Sequence, residues 1–226
     1  MQRFVVIGLG RFGSRLARNL AAAGREVIAI DRNERIVDDV RDDVTMAIAL
    51  DATDEQALRS QGIDQVDAAV VGIGENFEAS VLCTAVLKQI GVQRVIGRAM
   101  TRTGSQILSR IGADEVVNPE DESADRWASR LISPQFLSQF ELDRQISIVE
   151  VRTPADWVGR TLLDIKPRSE LGIHVVAIKR TADDDGAKAG RAVLYLPMPD
   201  VPLAGDDLLL LMGRAVDLAQ LPTDEE

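Results

Sequence analysis

Histidine, tyrosine and cysteine each occur once in these 226 residues. A lone cysteine, Cys83, excludes an internal disulfide and a multi-cysteine metal centre. Set within Ala79-Ser80-Val81-Leu82-Cys83-Thr84-Ala85-Val86-Leu87, it reads as a small buried helix residue. No apolar run reaches the length of a membrane span, and no charged start leads into an apolar stretch. The chain is therefore expected to lack a span and a secretory signal, and to sit in the cytoplasm. Positive charge is short as well, with 26 Lys and Arg against 36 Asp and Glu for a net −10. That balance lacks the basic face that displaces counterions from a duplex, so no nucleic-acid partner is expected. Lysine accounts for only Lys88, Lys166, Lys179 and Lys188; the other basic residues are arginines, and each arginine near a phosphate site needs its own judgement.

What is present begins at residue 3. Arg3-Phe4-Val5-Val6-Ile7-Gly8-Leu9-Gly10-Arg11-Phe12-Gly13 delivers a short apolar run into a Gly-x-Gly-x-x-Gly turn with a helical pattern behind it. Gly8 permits the tight turn, Gly10 lets a pyrophosphate approach the backbone, and Gly13 lets the helix lie close on the strand. The helix N-terminus then offers free N–H groups and a positive dipole end to phosphate. After the helical run to Ala23, Glu26-Val27-Ile28-Ala29-Ile30 forms a second strand ending in Asp31, placed to accept hydrogen bonds from ribose hydroxyls. The expected ligand is an adenine nucleotide.

The strand-helix rhythm continues. A polar helix over residues 33–42 precedes a strand over 46–50, closed by Asp51-Ala52-Thr53-Asp54, where Thr53 or Asp54 can cap the next helix. A strand over 68–73 leads through Gly74-Glu75-Asn76 into a helix reaching about residue 90. A strand over 94–97 ends at Arg98, and one over 115–117 ends at Asn118-Pro119-Glu120. This alternation predicts an α/β fold, a Rossmann-like doubly wound parallel sheet over residues 1–120. Ligands of such sheets bind at the carboxyl ends of strands. Gly8, Leu9, Gly10, Arg11, Phe12, Gly13, Asp31, Asp51, Ala52, Thr53, Ile73, Gly74, Arg98 and Glu120 are therefore expected along one rim.

From Asp121 the rhythm breaks. Residues 123–131 read as a helix with Trp127, Leu131 and Ile132 on an apolar face, Pro134 interrupts, and 135–140 make a second short amphipathic helical segment. These faces have no evident partner in the first domain. They imply crossover or dimerisation helices over 121–143 docking on a second subunit, with packing back onto their own sheet as the other reading. A smaller α+β domain over 144–226 follows: strands at 146–151, 175–180, 192–195 and 207–212, a short helical stretch at 161–165, and a polar loop at 182–190 expected to be mobile.

Together, Val6-Ile7-Gly8-Leu9-Gly10-Arg11-Phe12-Gly13, Asp31, Asp51-Ala52-Thr53, Gly74-Glu75-Asn76 and the segment from Ile111-Gly112-Ala113-Asp114 to Pro119-Glu120 resemble the RCK family, the regulators of potassium conductance. The likeness is strongest to the cytosolic regulatory subunits of bacterial Ktr/Trk potassium uptake systems. It extends through the second domain, where Gly159-Arg160-Thr161-Leu162, Gly172-Ile173-His174-Val175-Val176-Ala177-Ile178 and Leu203-Ala204-Gly205-Asp206-Asp207 are similar to that family's C-terminal ligand-binding module. The resemblance implies a non-enzymatic nucleotide sensor, a homo-oligomer whose dimers assemble into an octameric ring beneath an integral-membrane potassium transporter subunit. It also implies that Arg11 reaches a phosphate of the nucleotide held by the neighbouring subunit, and that Glu120 lies near the phosphates, where it helps to hold a divalent cation between subunits. A cyclic dinucleotide in the second domain, with Arg168 and His174 as contacts, belongs to the same implication.

The residue inventory agrees with a sensor better than with a dehydrogenase. Hydride transfer to a carbonyl usually needs a His, Tyr or Lys proton donor near the nicotinamide. The first domain has no His or Tyr, and its single lysine, Lys88, lies within a helix away from the rim. His174 and Tyr195 fall in the second domain, where His174 reads as an ordinary strand residue. A redox-sensing repressor on this fold would need a basic helix-turn-helix segment, and none is evident. Asp31 disfavours a 2′-phosphate and so NADP. ATP/ADP is the first expectation and NAD/NADH the alternative, because Asp31 serves either ribose.

Overall fold

Short β-branched runs alternating with helices build the first half. The computed structural model describes residues 2–133, 135–143, 145–181 and 192–221. Strands β1 (Arg3–Ile7), β2 (Glu26–Asp31), β3 (Met46–Ala49), β4 (Ala68–Val71), β5 (Arg94–Arg98) and β6 (Glu115–Val117) form one sheet in the order β3-β2-β1-β4-β5-β6, with every pair parallel. Its central strands are buried on both faces, which is why they read as continuous apolar runs. Alternation along β1 sends Val5 and Ile7 to one face with Leu58, Ile63, Cys83 and Leu87, and Val6 to the other with Ala17, Val37 and Val40. The strand order reverses between β1 and β4, and the crevice above that point is where such sheets bind ligands.

Helices α1 (Arg11–Ala22), α2 (Glu34–Asp38), α3 (Glu55–Ser60), α4 (Phe77–Gln89) and α5 (Arg102–Ile111) connect these strands. Four open on a side chain that accepts first-turn amides: Asn33, Asp54, Asn76 and Thr101. Helix α1 does not; Gly10 stands at its N-cap with no side-chain cap. The helix expected over 33–42 is shorter, ending at Asp38 before a separate single turn at Arg41–Asp43.

Helix α6 (Pro119–Ile132) begins four residues before the expected start. Proline is preset for a first helical position, and Glu120, Asp121 and Glu122 fill a first turn whose dipole favours acids. The chain divides into two compact units, Met1–Glu122 and Ser123–Glu226, and the cut falls inside α6.

The second unit is built on an antiparallel sheet of β7 (Phe136–Glu141), β8 (Ile146–Arg152), β9 (His174–Thr181), β10 (Ala192–Tyr195) and β11 (Leu208–Arg214), in the order β10-β9-β11-β8-β7. The second crossover helix expected over 135–140 is thus corrected to a strand. Phe136 and Phe140 stand four apart, a spacing that fits one helix face and equally one strand face. Asp143 decides between them locally: its Oδ1 accepts the N–H groups of Gln145 and Ile146, both at 2.7 Å, and turns the chain back so that β7 pairs with β8. A register shift between Phe136 and Ser138 then sends Phe136 into the core and leaves Phe140 65% exposed.

Short helices α7 (Leu162–Ile165), α8 (Pro167–Leu171) and α9 (Ala215–Leu218) belong to the same unit. Trp157, Ile165, Ile173, Leu203 and Leu218 pack against Val149, Val151, Leu209 and Leu211. Under the strand entry, Arg180 grips the fully buried Asp207 carboxylate with Nε on Oδ1 and Nη2 on Oδ2, each at 2.6 Å. The break expected at Pro134 and the loop expected over 182–190 lie outside the described residues. Among the described residues no helix is long and apolar enough to cross a membrane.

Candidate nucleotide-binding site

The turn after β1 is held from three sides. Gly8 has φ +87°, a conformation open to glycine, and a Cβ there would lie 2.8 Å from the backbone nitrogen of Ile73. Gly13 is forced by contact instead: a Cβ would fall 2.0 Å from the Gly8 carbonyl oxygen. Ser14, which the sequence reading passed over, donates its Oγ hydrogen to the Leu9 carbonyl at 2.6 Å and ties the turn to the helix. Only the polar character of Ser14, directly behind the third glycine, hinted at this. Gly10 differs from its companions because nothing lies within 4 Å of a Cβ built on it. Its φ of −63° is open to any L-residue, so neither strain nor crowding in the protein demands glycine there. The empty space lies over the uncapped start of α1, whose first-turn amides have no partner within the helix.

Asp31 stands at the end of β2 facing that turn. Its Oδ2 accepts the Leu9 N–H at 2.7 Å and its Oδ1 accepts the Asn33 N–H at 2.9 Å. The carboxylate is therefore a brace for the glycine turn as well as an acceptor, and each oxygen retains a further lone-pair direction for a ribose hydroxyl. Asp31→Ala is expected to weaken ATP, ADP and NADH alike, by about tenfold or more, because it removes an acceptor and frees Leu9 together. Calorimetric titration of the variant with all three checks this.

Across the β1/β4 switch, Arg98 ends β5. Its guanidinium lies against Gly74, where a Cβ would be 2.7 Å from Nη1, and 5.8 Å from the Phe12 ring centroid. Its Nη2 donates to Glu120 Oε1 at 2.5 Å. The fold thus joins Phe12, Gly74, Arg98 and Glu120, which are far apart in sequence. On the other side, Asp51 Oδ1 accepts both the Thr53 hydroxyl at 2.7 Å and the Thr53 N–H at 3.0 Å. Those bonds, the hydroxyl first, and the charge of Arg32 hold the Asp51 carboxyl below the usual range against a small opposing effect of burial. Ala52 is buried beside it. The Asp51–Thr53 turn has no hydrogen bond to the glycine turn. Arg11 is exposed and has no hydrogen bond or ion pair among the described residues.

The second unit carries the remaining candidates. Arg168 in α8 and His174 at the start of β9 are both exposed. Among the described residues no group of three or more His, Cys, Asp or Glu is arranged to hold a metal ion.

The empty space over Gly10, the uncapped amides of α1 and the Asp31 carboxylate fit a phosphate and a ribose. Residues 4–119 match the TrkA-N domain family and residues 146–221 the TrkA-C domain family. Ktr system potassium uptake protein C of Bacillus subtilis (strain 168) is 36% identical over 219 residues, 97% of this chain and 95% of its own. Ktr system potassium uptake protein A of the same organism is 30% identical over 223 residues, 99% and 96% of the two chains. Among solved structures, the GsuK channel superposes with a TM-score of 0.65 at 14% identity over 97% of this chain, a likeness of fold. GsuK bound to ADP superposes with a TM-score of 0.50 at 28% identity over 57% of this chain. This chain spans 38% and 34% of those two longer chains. With both domain families matched in order, and the two relatives matched over nearly their full length, the chain belongs to the RCK family of Ktr/Trk potassium-uptake proteins.

Proposed function

We propose that this protein is a non-catalytic regulatory subunit that binds ATP or ADP on the rim of its first unit. Through the ligand's effect on a homo-oligomeric ring, it gates an integral-membrane potassium transporter at the cytoplasmic face. The observation that carries the reading is the uncapped, open start of α1, reached through a glycine turn whose Leu9 amide is bonded to the Asp31 carboxylate. A pyrophosphate seated over Gly10 would take the free amides and the dipole, while the adenosine ribose would reach Asp31. Asp31 opposes a 2′-phosphate by like charge.

The relatives' names supply the potassium context, and the ADP of the GsuK structure supplies a nucleotide of the right class. Residues 1–122 contain no His or Tyr to serve as a proton donor, which favours regulation over hydride transfer. Exposed Trp127, Leu131 and Ile132 on α6 suit the contact between subunits, and Glu120 suits a divalent cation shared across it. A cyclic dinucleotide near Arg168 and His174 remains the proposed ligand of the second unit. NAD(H) is the second reading of the rim, favoured by the same Asp31 geometry, since a ribose diol looks alike in both ligands.

A ligand shifts a ring only through contacts that differ between its shapes. Arg11, exposed and unengaged at the start of α1, is free to meet the terminal phosphate of a nucleotide held by a neighbouring subunit. Arg11→Ala is expected to reduce the ATP-over-ADP preference by about tenfold, in calorimetry and in potassium flux with the reconstituted transporter, while ADP binding persists. Undiminished discrimination in that variant would remove the γ-phosphate contact and leave NAD(H) as the better reading.

A further inference from the structure

Helix α1 carries charge of one sign. It holds Arg11, Arg15 and Arg18 and no acidic residue, and spacings of four and three set the arginines along one face. Arg18 is held within the unit, its Nε on Asp43 Oδ2 and its Nη2 on the Asp39 carbonyl, each at 2.6 Å. Arg15 is exposed, and among the described residues no hydrogen bond or ion pair engages it. Arg11, one turn before it, is equally unengaged, so two like charges at i and i+4 repel with nothing beside them to offset it. The root of α6 is the converse: Glu120, Asp121 and Glu122 fill its first turn with no basic residue among them. Glu120 is held by Arg98, and Asp121 accepts an Asn118 Nδ2 hydrogen at 2.6 Å. Glu122 is left exposed and unengaged among the described residues. Both patches belong to the first unit and are joined by a short bridge, since Phe12 in α1 approaches Arg98 and Arg98 holds Glu120.

We infer that Arg15 and Glu122 pair between two copies of this chain. The second turn of α1 in one copy lies along the root of α6 in the other, and the contact is made twice about a two-fold axis beside the Phe12–Arg98–Glu120 bridge. A surface that carries both signs side by side is self-complementary, because a two-fold rotation through their boundary sets each patch on its opposite. Packing α1 on α1, or one α6 root on the other, would bring like charges together instead. A second copy is favoured over another acidic protein for the same reason: the unit that displays the arginine stripe displays its complement next to it. This rests on the homo-oligomer of the proposed function and adds a contact that needs no nucleotide. Both side chains are exposed, so the pair acts on orientation and on the rate of encounter, and salt screens it.

The test reverses each charge in the full chain, without nucleotide. Arg15→Glu alone and Glu122→Arg alone should each weaken self-association by about tenfold at low salt, because two attractions per dimer become two repulsions, and by much less at high salt. The chain carrying both changes should associate as the parent does. Co-expressed in equal amounts, the two single variants should form mixed dimers well above the statistical half, counted by native mass spectrometry, since only the mixed dimer restores both contacts. That count holds even where the dimer is too tight to dilute apart. An unchanged ADP affinity in each variant shows that the first unit is folded. If a reversed charge prevents folding, Arg15→Gln and Glu122→Gln serve in the same cycle, with a loss of about threefold for either and no further loss together. A statistical mixture, or a doubly changed chain no tighter than the single variants, overturns the pairing while the oligomer stands. A parent chain that stays monomeric at every concentration, with and without ATP, overturns both.

Discussion

Gly10→Asp should abolish ATP, ADP and NADH binding, by more than about a hundredfold, in a protein that melts no lower than the parent. The two halves of that result have separate causes. Gly10 has ordinary extended backbone angles and empty space where a Cβ would go, so an aspartate enters without strain. It enters, moreover, at the N-cap, where aspartate is among the preferred residues and typically adds about 1 kcal/mol over a residue that cannot cap. Its carboxylate would accept the first-turn amides of α1 and neutralise the dipole end, which is what a pyrophosphate must do. The ligand would then meet filled donors and a negative charge in their place. Gly13→Ala is the contrasting control. With a Cβ 2.0 Å from a backbone oxygen it should destabilise the first unit by about 3 kcal/mol and lose binding through loss of structure. Calorimetry beside thermal melting separates the two. Retained nucleotide affinity in Gly10→Asp would place the ligand elsewhere.

The second large effect is expected at Asp207. Its carboxylate is fully buried, Oδ2 accepts both Arg180 Nη2 and the Ala204 N–H at 2.8 Å, and Oδ1 accepts Arg180 Nε. Asp207→Asn would place an NH2 group against donors whichever way the amide turns. Breaking a buried pair from one side costs about 3–5 kcal/mol, and the lower end applies because Arg180 keeps access to water. Burial pushes the Asp207 carboxyl up, but the Arg180 hydrogen bonds, the Ala204 amide and the guanidinium charge together bring it below the ordinary carboxylate range. A depressed carboxyl contributes stability that is present above its unfolded value of about 3.9 and is lost as pH falls through the folded value. The second unit should therefore weaken below about pH 4 in the parent, and Asp207→Asn should show less of that dependence. Urea unfolding followed by Trp157 fluorescence, in a Trp127→Phe background, reads both. A loss below about 1 kcal/mol at neutral pH would make the pair structurally unimportant.

The first unit was legible because its central strands are apolar runs bounded by polar residues, and a parallel sheet keeps both faces of such runs dry. The rim could be named for the same reason, since strand ends in that architecture share one edge. Pairings on the rim could not. Arg98 and Glu120 meet only because β5 and β6 are neighbours and α6 begins at Pro119, and no local pattern records that. The Leu9 bond to Asp31 is likewise invisible in sequence, where aspartate at a strand end suggests a ligand rather than a brace. In the second unit the helical reading of 135–140 failed because a spacing of four residues fits both periods, and the register shift in β7 erased the alternation that would have told them apart. Helices α8 and α9, of five and four residues, are too short for periodicity to show.

Cys83 makes the first unit its own timer. The thiol is fully buried, and burial, with a smaller contribution from the charge of Asp51, raises its pKa to about 12. At neutral pH almost no thiolate exists in the closed protein, so a chromogenic thiol reagent reacts only during openings of the core that surrounds it. With a single cysteine in the chain, every molecule of released chromophore reports one such event, and events confined to the second unit pass unrecorded. A ligand that binds only the closed form slows the colour change by a factor of one plus its concentration over its dissociation constant. The unaltered protein can therefore rank its own ligands without a tag, a label or a transporter.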